Sequence, residues 1–598
     1  MRRACVVLLL FVMGGPVALL ACEGRPRFDR HGGSSATGEP STGPSIAVLD
    51  LSDGVPEQDA SGFLGLSPRS TSIEDVVAQV EHLQREADMR GVLVRLGSAR
   101  PGLARAAEIG SALARLRTKR PVWCYADEYN NGTLLLAARG CERIWVAPAS
   151  SVDAVGLAAQ TLYFHELLAD ELRLDVDFLQ VGKFKGAEEP FTRDGPSAEA
   201  RESLEATLSG LRAAWLEGIG NGRGHLADSA PESGPYTPEE AKQRGLVDDV
   251  GYFDAARNAL EGATGAVRSE VRVGAGASSG PGEDVVAIAR ALAGQSLVSA
   301  PVVVVRASGA ISMDGGGLVG GTDGIVARRL LKTLTRLEGD EDVKAIVLRI
   351  DSPGGSALAS DLLWHALMRL RAKKALVVSI GDMAASGGYY LASSGSLIFA
   401  SDTSIVGSIG VVGGKIAADR ALERIGIHAE TFAAKPGDPG AAPRAAYESL
   451  LLPWDDATRA RVLDTMTRIY ALFLERVAEG RRIPLDQVAS SAEGRIFSGR
   501  DGKARGLVDE LGGLTEAIAK ARDLAGLGAD ARVGVADEPA GLLRAMEGDE
   551  AHAPAMTVSL ARAPAEPLVG FASFVNSLTP LAQNETLACA LPFALTVR

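Results

Sequence analysis

The sequence predicts an α/β protein made by tandem duplication of one domain, and three observations carry that prediction. First, VLVRL at 92–96 recurs as IVLRI at 346–350, and ALARLRTKR at 112–120 as ALMRLRAKK at 366–374, both at an offset of 254. Second, ERIWVAPASSVDAVGL at 142–157 lies on SLIFASDTSIVGSIGV at 396–411 at the same offset, without a gap. RGLVDDVG at 244–251 returns as RGLVDELG at 505–512, so the second copy carries seven more residues by then (261 − 254). Third, short β-forming runs alternate with helix-like stretches in each copy, the pattern of a largely parallel sheet with crossovers.

Taken in order, the chain begins with Met1-Arg2-Arg3 and a charge-free apolar run from Ala4 to Leu20, the pattern of an export signal. The run ends in Leu19-Leu20-Ala21-Cys22. This resembles a bacterial lipoprotein signal over residues 1–21, whose cleavage leaves a lipidated Cys22. An uncleaved membrane anchor is the alternative, because the run is about as long as a thin bilayer requires. Gly14, Gly15 and Pro16 weaken a continuous helix there. Either reading exports the body of the protein and holds it at a membrane, inner or outer.

Residues 22–44, rich in Gly, Ser, Pro and Arg, read as a disordered linker. The first domain, 45–264, opens with the strand-like Ile46-Ala47-Val48-Leu49-Asp50-Leu51. A linker over 265–299, with a helical-looking stretch at 284–293, leads to the second domain, 300–528, which opens with Val302-Val303-Val304-Val305. Within that copy the pattern gives strand 345–350, helix 357–372, strand 375–380, helix 387–394, and strands 396–400 and 405–412. Residues 529–598 read as an Ala/Pro-rich tail that can pack on an oligomer.

At 598 residues, 46% hydrophobic and 23% charged, the chain is long enough for more than one core. Its net charge of −13, without basic clusters, argues against nucleic acid as a partner. Of five cysteines, Cys5 belongs to the signal and Cys22 to its end, leaving Cys124, Cys141 and Cys589 without metal-like spacing. A Cys124–Cys141 bridge is open to them, but buried thiols are the simpler expectation.

The chemistry centres on GDMAASGGYY at 381–390. Ser386 falls where a strand gives way to a helix, with Gly387 and Gly388 directly behind it. Such a turn exposes a hydroxyl, admits a carbonyl to the backbone, and offers free N–H groups to a developing negative charge. An ordinary serine N-cap would leave the same local pattern. Divergence between the copies separates the two readings. At offset 254, Ser386 faces Gly132, and the loop DSPGGS at 351–356 faces GSARPG at 97–102, so only the second copy pairs a hydroxyl with that glycine loop. In a parallel sheet the carboxyl ends of adjacent strands lie together, which brings the loop to Ser386. Gly355 and Gly387 are the candidate oxyanion donors.

A serine nucleophile needs a base, and the seven histidines offer no partner pattern: His365 falls mid-helix and His428 in the strand-like IGIHAE. A lysine kept neutral by burial can serve instead. Lys185, in VGKFKGAEEPF at 181–191 of the first copy, is the candidate, and it faces Pro439 in the second copy. Lys183 and Lys185 also fit a solvated pair, and Lys435, in the domain of Ser386, is a competing base.

These residues resemble the signal peptide peptidase A family in its long two-domain form, over roughly 45–528. The resemblance rests on GKFKGAEEPF at 182–191, DSPGGS at 351–356, GDMAASGGYY at 381–390 and SDTSIVGSIGVVGG at 401–414. It implies a Clp-protease/crotonase-like fold, a spiral of ββα turns, in each half. It also implies a membrane-associated serine endopeptidase that degrades cleaved signal peptides and other extended apolar peptides, with Ser386 as nucleophile and Lys185 as general base. Assembly as a homotetramer facing membrane lipid, on the periplasmic face, follows from the same resemblance. No cofactor and no metal are implied. Gly186 departs from the serine usual after the lysine, and a lipoprotein-type signal departs from the usual transmembrane anchor. An acyl-CoA hydratase or isomerase on the same fold, and a catalytically inactive membrane scaffold, are the alternative functions.

Overall fold

A computed structural model describes residues 43–57, 71–224, 226, 230–273, 300–314, 324–435 and 437–536, with two short strands at 587–589 and 596–597. The expected signal, Cys22, nearly all of the linker before residue 45, the helical stretch at 284–293 and most of the tail lie outside the described residues.

Each copy builds its own sheet from the runs that repeat in sequence. In the first, six parallel strands stand in the order Asp249–Val250, Arg143–Val146, Val122–Ala126, Met89–Gly97, Ser45–Asp50 and Arg268–Val273. In the second, Glu510–Leu511, Leu397–Ala400, Ala375–Ala385, Ala345–Ser352, Val302–Ser308 and Val533–Ala536 follow one another in the same order, again all parallel. Strands buried on both faces read as continuous apolar runs, and Val302, Val303, Val304 and Val305 are all buried.

Each sheet gains one further strand. The strand Arg268–Val273 pairs with Ser45–Asp50, and Val533–Ala536 pairs with Val302–Ser308. Each copy therefore runs one strand past the ends expected at 264 and 528, because the last strand covers the otherwise open edge of its sheet. RSEVRV and VGVA are too short and too polar or glycine-bearing to stand out in sequence. The strand expected around His428 does not form; Ile425 and Ile427 are instead exposed in an irregular segment.

Helices cover the sheets where the 3.6-residue period is clear. Over Ile73–Arg85 the side chains of Ile73, Val76, Val77, Val80 and Leu83 are buried, and Ser72 and Asp75 form a capping box at the start. The copies share a core. One continuous apolar cluster joins Leu113, Leu134 and Trp215 of the first copy to Val304, Val347, Val377, Leu514 and Ile518 of the second.

A third sheet joins the two copies directly. The first-copy strand Asp175–Val181 pairs antiparallel with Val411–Ala417 of the second, Val181 opposite Val411 and Asp175 opposite Ala417. The chain end adds a strand, Leu587–Cys589, antiparallel to both Val411–Ala417 and Gly355–Ser356. Cys124 and Cys141 form a disulfide, where buried thiols were expected. The parallel strand bearing Cys124 and the helix end at Cys141 fall together because the connection between them is a single helix, Asn131–Gly140.

Candidate active site

Ser386 stands between the strand Ala375–Ala385 and the helix Gly387–Ala392, and its backbone has φ +55°. For a residue with a side chain this is an uncommon conformation, held only where surrounding structure fixes it. Here the Ser386 N–H donates to Gly407 O at 2.8 Å, and the Tyr390 N–H donates to Ser386 O at 2.8 Å. The turn is therefore no ordinary N-cap: the Ser386 side chain makes no capping bond.

Lys185 lies in the loop after Asp175–Val181, and the antiparallel pairing of that strand with Val411–Ala417 delivers it to the second copy. Its Nζ is 2.6 Å from Ser386 Oγ, 2.9 Å from Ser408 O and 3.0 Å from Ser408 Oγ. Lys185 and Ser386 both have no exposed surface. Removing an amine from water disfavours its charged form. Lys435 is 79% exposed and pairs with Asp438, so it is not the partner of Ser386. His365 is exposed on the helix Ala357–Arg371.

Ser408 is the residue that the sequence reading missed. It too has φ +55°, and its N–H donates to Arg495 O. The available signal was a hydroxyl set between Gly407 and Gly410 inside SDTSIVGSIGVVGG, soon after the nucleophile. Glu188 and Glu189 are also buried in the lysine segment. Burial pushes the Glu188 carboxyl up to about 8, and its neighbour Glu189 adds to the shift while Lys185 opposes it.

The glycine loop meets the nucleophile turn as expected. Ser352 Oγ donates to Gly309 O at 2.7 Å and accepts from the Gly354 N–H at 3.2 Å, and the Ile311 N–H donates to Gly354 O at 2.9 Å. Gly355 has φ +153°, and a Cβ there would sit 2.1 Å from Ile311 O, so only glycine fits. Gly387 is packed beside it: a Cβ on Gly387 would lie 3.3 Å from Gly354 Cα. Thus Ser386, Lys185, Gly355 and Gly387 converge on one place, with Gly355 opposite Cys589 of the chain-end strand. Among the described residues no cluster of three His, Cys, Asp or Glu side chains is placed to hold a metal ion.

The chain also matches known proteins. A model of "Peptidase family S49" matches residues 114–266 and again 368–528, and a model of "Clp protease" matches residues 318–404. The chain is 31% identical to Protease 4 of Haemophilus influenzae over 518 residues, 82% of this chain and 81% of that one. It is 30% identical to Protease 4 of Salmonella typhi over 77% of this chain and 73% of that one. With the chloroplastic serine protease SPPA of Arabidopsis thaliana it shares 28% identity over 65% of its own length, spanning 56% of that relative. A family model that falls once on each copy, on a chain that brings a lysine of one copy to a serine of the other, leaves a single reading: this chain belongs to peptidase family S49.

Proposed function

We propose that this serine peptidase cuts extended apolar peptides, cleaved signal peptides foremost, with a Ser386–Lys185 dyad on the exported side of a membrane. One observation carries the reading: the fully buried Lys185 Nζ lies 2.6 Å from Ser386 Oγ. In the proposed cycle the neutral amine takes the hydroxyl proton as Oγ attacks the peptide carbonyl. The oxyanion so formed rests on the N–H groups of Gly355 and Gly387. The ammonium returns its proton to the leaving amine, and the amine then activates the water that releases the acyl group. Ser408, through its hydroxyl and carbonyl, holds Nζ toward Oγ.

An extended substrate is favoured by the chain-end strand, which runs between Gly355–Ser356 and Val412–Gly413 as an added antiparallel strand. A peptide bound in this way gains main-chain hydrogen bonds whatever its sequence, and selects by alternate side chains. Among the described residues no helix is long and apolar enough to cross a membrane, so attachment is assigned to the N-terminal segment, through lipidated Cys22 or an anchor. The Cys124–Cys141 disulfide favours an oxidising compartment outside the cytoplasm. The exposed Ile425, Ile427, Phe432, Leu450 and Leu451 offer an apolar surface suited to membrane lipid or to further copies in a homo-oligomer.

Hydrolysis of a synthetic signal peptide and of casein by wild type, Ser386→Ala and Lys185→Ala tests the proposal. Both variants are expected to lose at least a thousandfold in kcat. Equal hydrolysis by all three would refute the dyad, and loss in Lys435→Ala with activity kept in Lys185→Ala would transfer the base to the second copy.

A further inference from the structure

The first copy sends a second cation toward the site. Arg105, on the helix Leu103–Arg117, is 13% exposed and reaches across to two carboxylates of the second copy. Its Nη2 donates to Asp382 Oδ2 at 2.9 Å and to Asp351 Oδ2 at 3.3 Å, and Nη1 donates to Val55 O at 3.1 Å. Asp382 Oδ1 also accepts the Arg105 backbone N–H at 3.3 Å. The helix has no side-chain cap of its own, and the Asp382 carboxylate takes that place so closely that a Cβ on Gly102 would lie 2.4 Å from Asp382 Oδ1.

Both carboxylates stand at the ends of the strands that lead into the catalytic turns. Asp351 opens DSPGG, the loop of Gly355, and Asp382 precedes Ser386 by four positions in the nucleophile turn. The two segments are also tied to each other, since the Met383 N–H donates to Asp351 Oδ1 at 3.1 Å. At offset 254, Arg105 faces Ala359, Asp351 faces Gly97 and Asp382 faces Glu128, so duplication did not produce this cluster in both halves.

We propose that Arg105 is a positioning residue for the peptidase reaction: it clamps Asp351 and Asp382 together and so fixes the oxyanion loop against the nucleophile turn. Without that cation the two carboxylates repel where both are ionised, or one takes up a proton, and in either case the ion pairs that tie the two strands are lost. The surroundings already press on Asp351. Burial, Asp382 and Glu57 push the Asp351 carboxyl up to about 7, against the pull of Arg105 and Arg349. Arg349 cannot replace Arg105, because its guanidinium is already held by Glu57 at 2.6 Å, Glu108 at 2.8 Å and Ser379 at 2.9 Å. The role rests on the dyad reading for its chemistry but not for its geometry.

The test compares wild type, Arg105→Met, Arg105→Met/Asp351→Asn and Arg105→Lys, reading peptide hydrolysis and hydrogen exchange over 350–357 and 381–388. Arg105→Met is expected to lower kcat at least thirtyfold with KM within threefold, and to speed exchange in both loops. Read at pH 9, where an ionised Asp351 would face Asp382, replacing Asp351 by Asn in that background removes the repulsion, and should recover at least tenfold in kcat. A kcat within threefold of wild type, unchanged exchange in the two loops, or no recovery in the double variant overturns the proposal. Should Arg105→Met not fold, Arg105→Lys is read in its place: it keeps the charge but cannot hold Val55 O with one nitrogen while another meets both carboxylates, so a kcat loss with unchanged KM is again expected, and none overturns the role. If wild type hydrolyses no better than Ser386→Ala, the dyad reading fails, and the exchange comparison alone decides whether Arg105 holds the loops.

Discussion

Lys185 Nζ and Ser386 Oγ lie 2.6 Å apart across 201 positions of chain, each supplied by a different copy of a duplicated domain. The separation in sequence is bridged by one pair of strands, Asp175–Val181 on Val411–Ala417, and by a core common to both copies. Neither half holds both of these side chains.

Ser408 is expected to matter for turnover more than for binding. It gives Lys185 two of its contacts, at 2.9 and 3.0 Å. Ser408→Ala keeps the carbonyl contact and removes the hydroxyl one. A hydrogen bond to a group that carries charge during the reaction contributes about 1.5–3 kcal/mol, so kcat should fall roughly ten- to hundredfold with KM nearly unchanged. Steady-state kinetics on a fluorogenic peptide checks this.

Gly355→Ala should abolish most activity without removing Ser386 or Lys185. Its methyl group would collide with Ile311 O, so the loop must move away from the oxyanion position. Loss of one such donor costs on the order of a hundred- to thousandfold in kcat. Hydrolysis assays beside a circular dichroism spectrum that matches wild type would separate this effect from unfolding.

The shared core predicts that the copies do not unfold separately. Ile518 of the helix Leu514–Leu524 is 3% exposed within the cluster that both copies build. Ile518→Ala should destabilise by about 2–5 kcal/mol, and do so in a single transition followed by probes in either half. Urea titration with fluorescence and circular dichroism reads both.

Glu188 sets a pH dependence of stability. Its folded value, about 8, lies above the ordinary 4.5, so the folded chain holds a proton that the unfolded chain loses first. The contribution is full below about pH 4.5 and is lost as pH rises toward 8. Glu188→Gln cannot lose it. The urea midpoint of wild type should therefore fall relative to Glu188→Gln between pH 5 and 8, and parallel curves would contradict the assignment.

Much of this was legible in the sequence, for identifiable physical reasons. The duplicated strands and helices repeat because both copies must fill the same core positions, and Ser386, Gly355 and Gly387 stand out because a nucleophile turn and a glycine loop need particular backbones. Lys185 could be singled out because its counterpart is Pro439. Ser408 was not legible, since a serine between glycines reads as a turn until Lys185 is placed beside it. Arg105 was hidden for a similar reason: on a helix its charge looks like solvated surface, and only the packing of one copy on the other buries it. The chain-end strand Leu587–Cys589 escaped because three residues carry no period, and its partners are distant in sequence.

The most direct measurement is the rate at which a fluorophosphonate labels Ser386 in wild type and in Lys185→Met, followed by mass spectrometry from pH 6 to 10. A neutral lysine that activates the hydroxyl requires a wild-type rate that rises with pH and a rate at least a hundredfold lower, and flat with pH, in the variant. Equal labelling rates in the two proteins would show that Ser386 does not depend on Lys185, and would contradict the dyad.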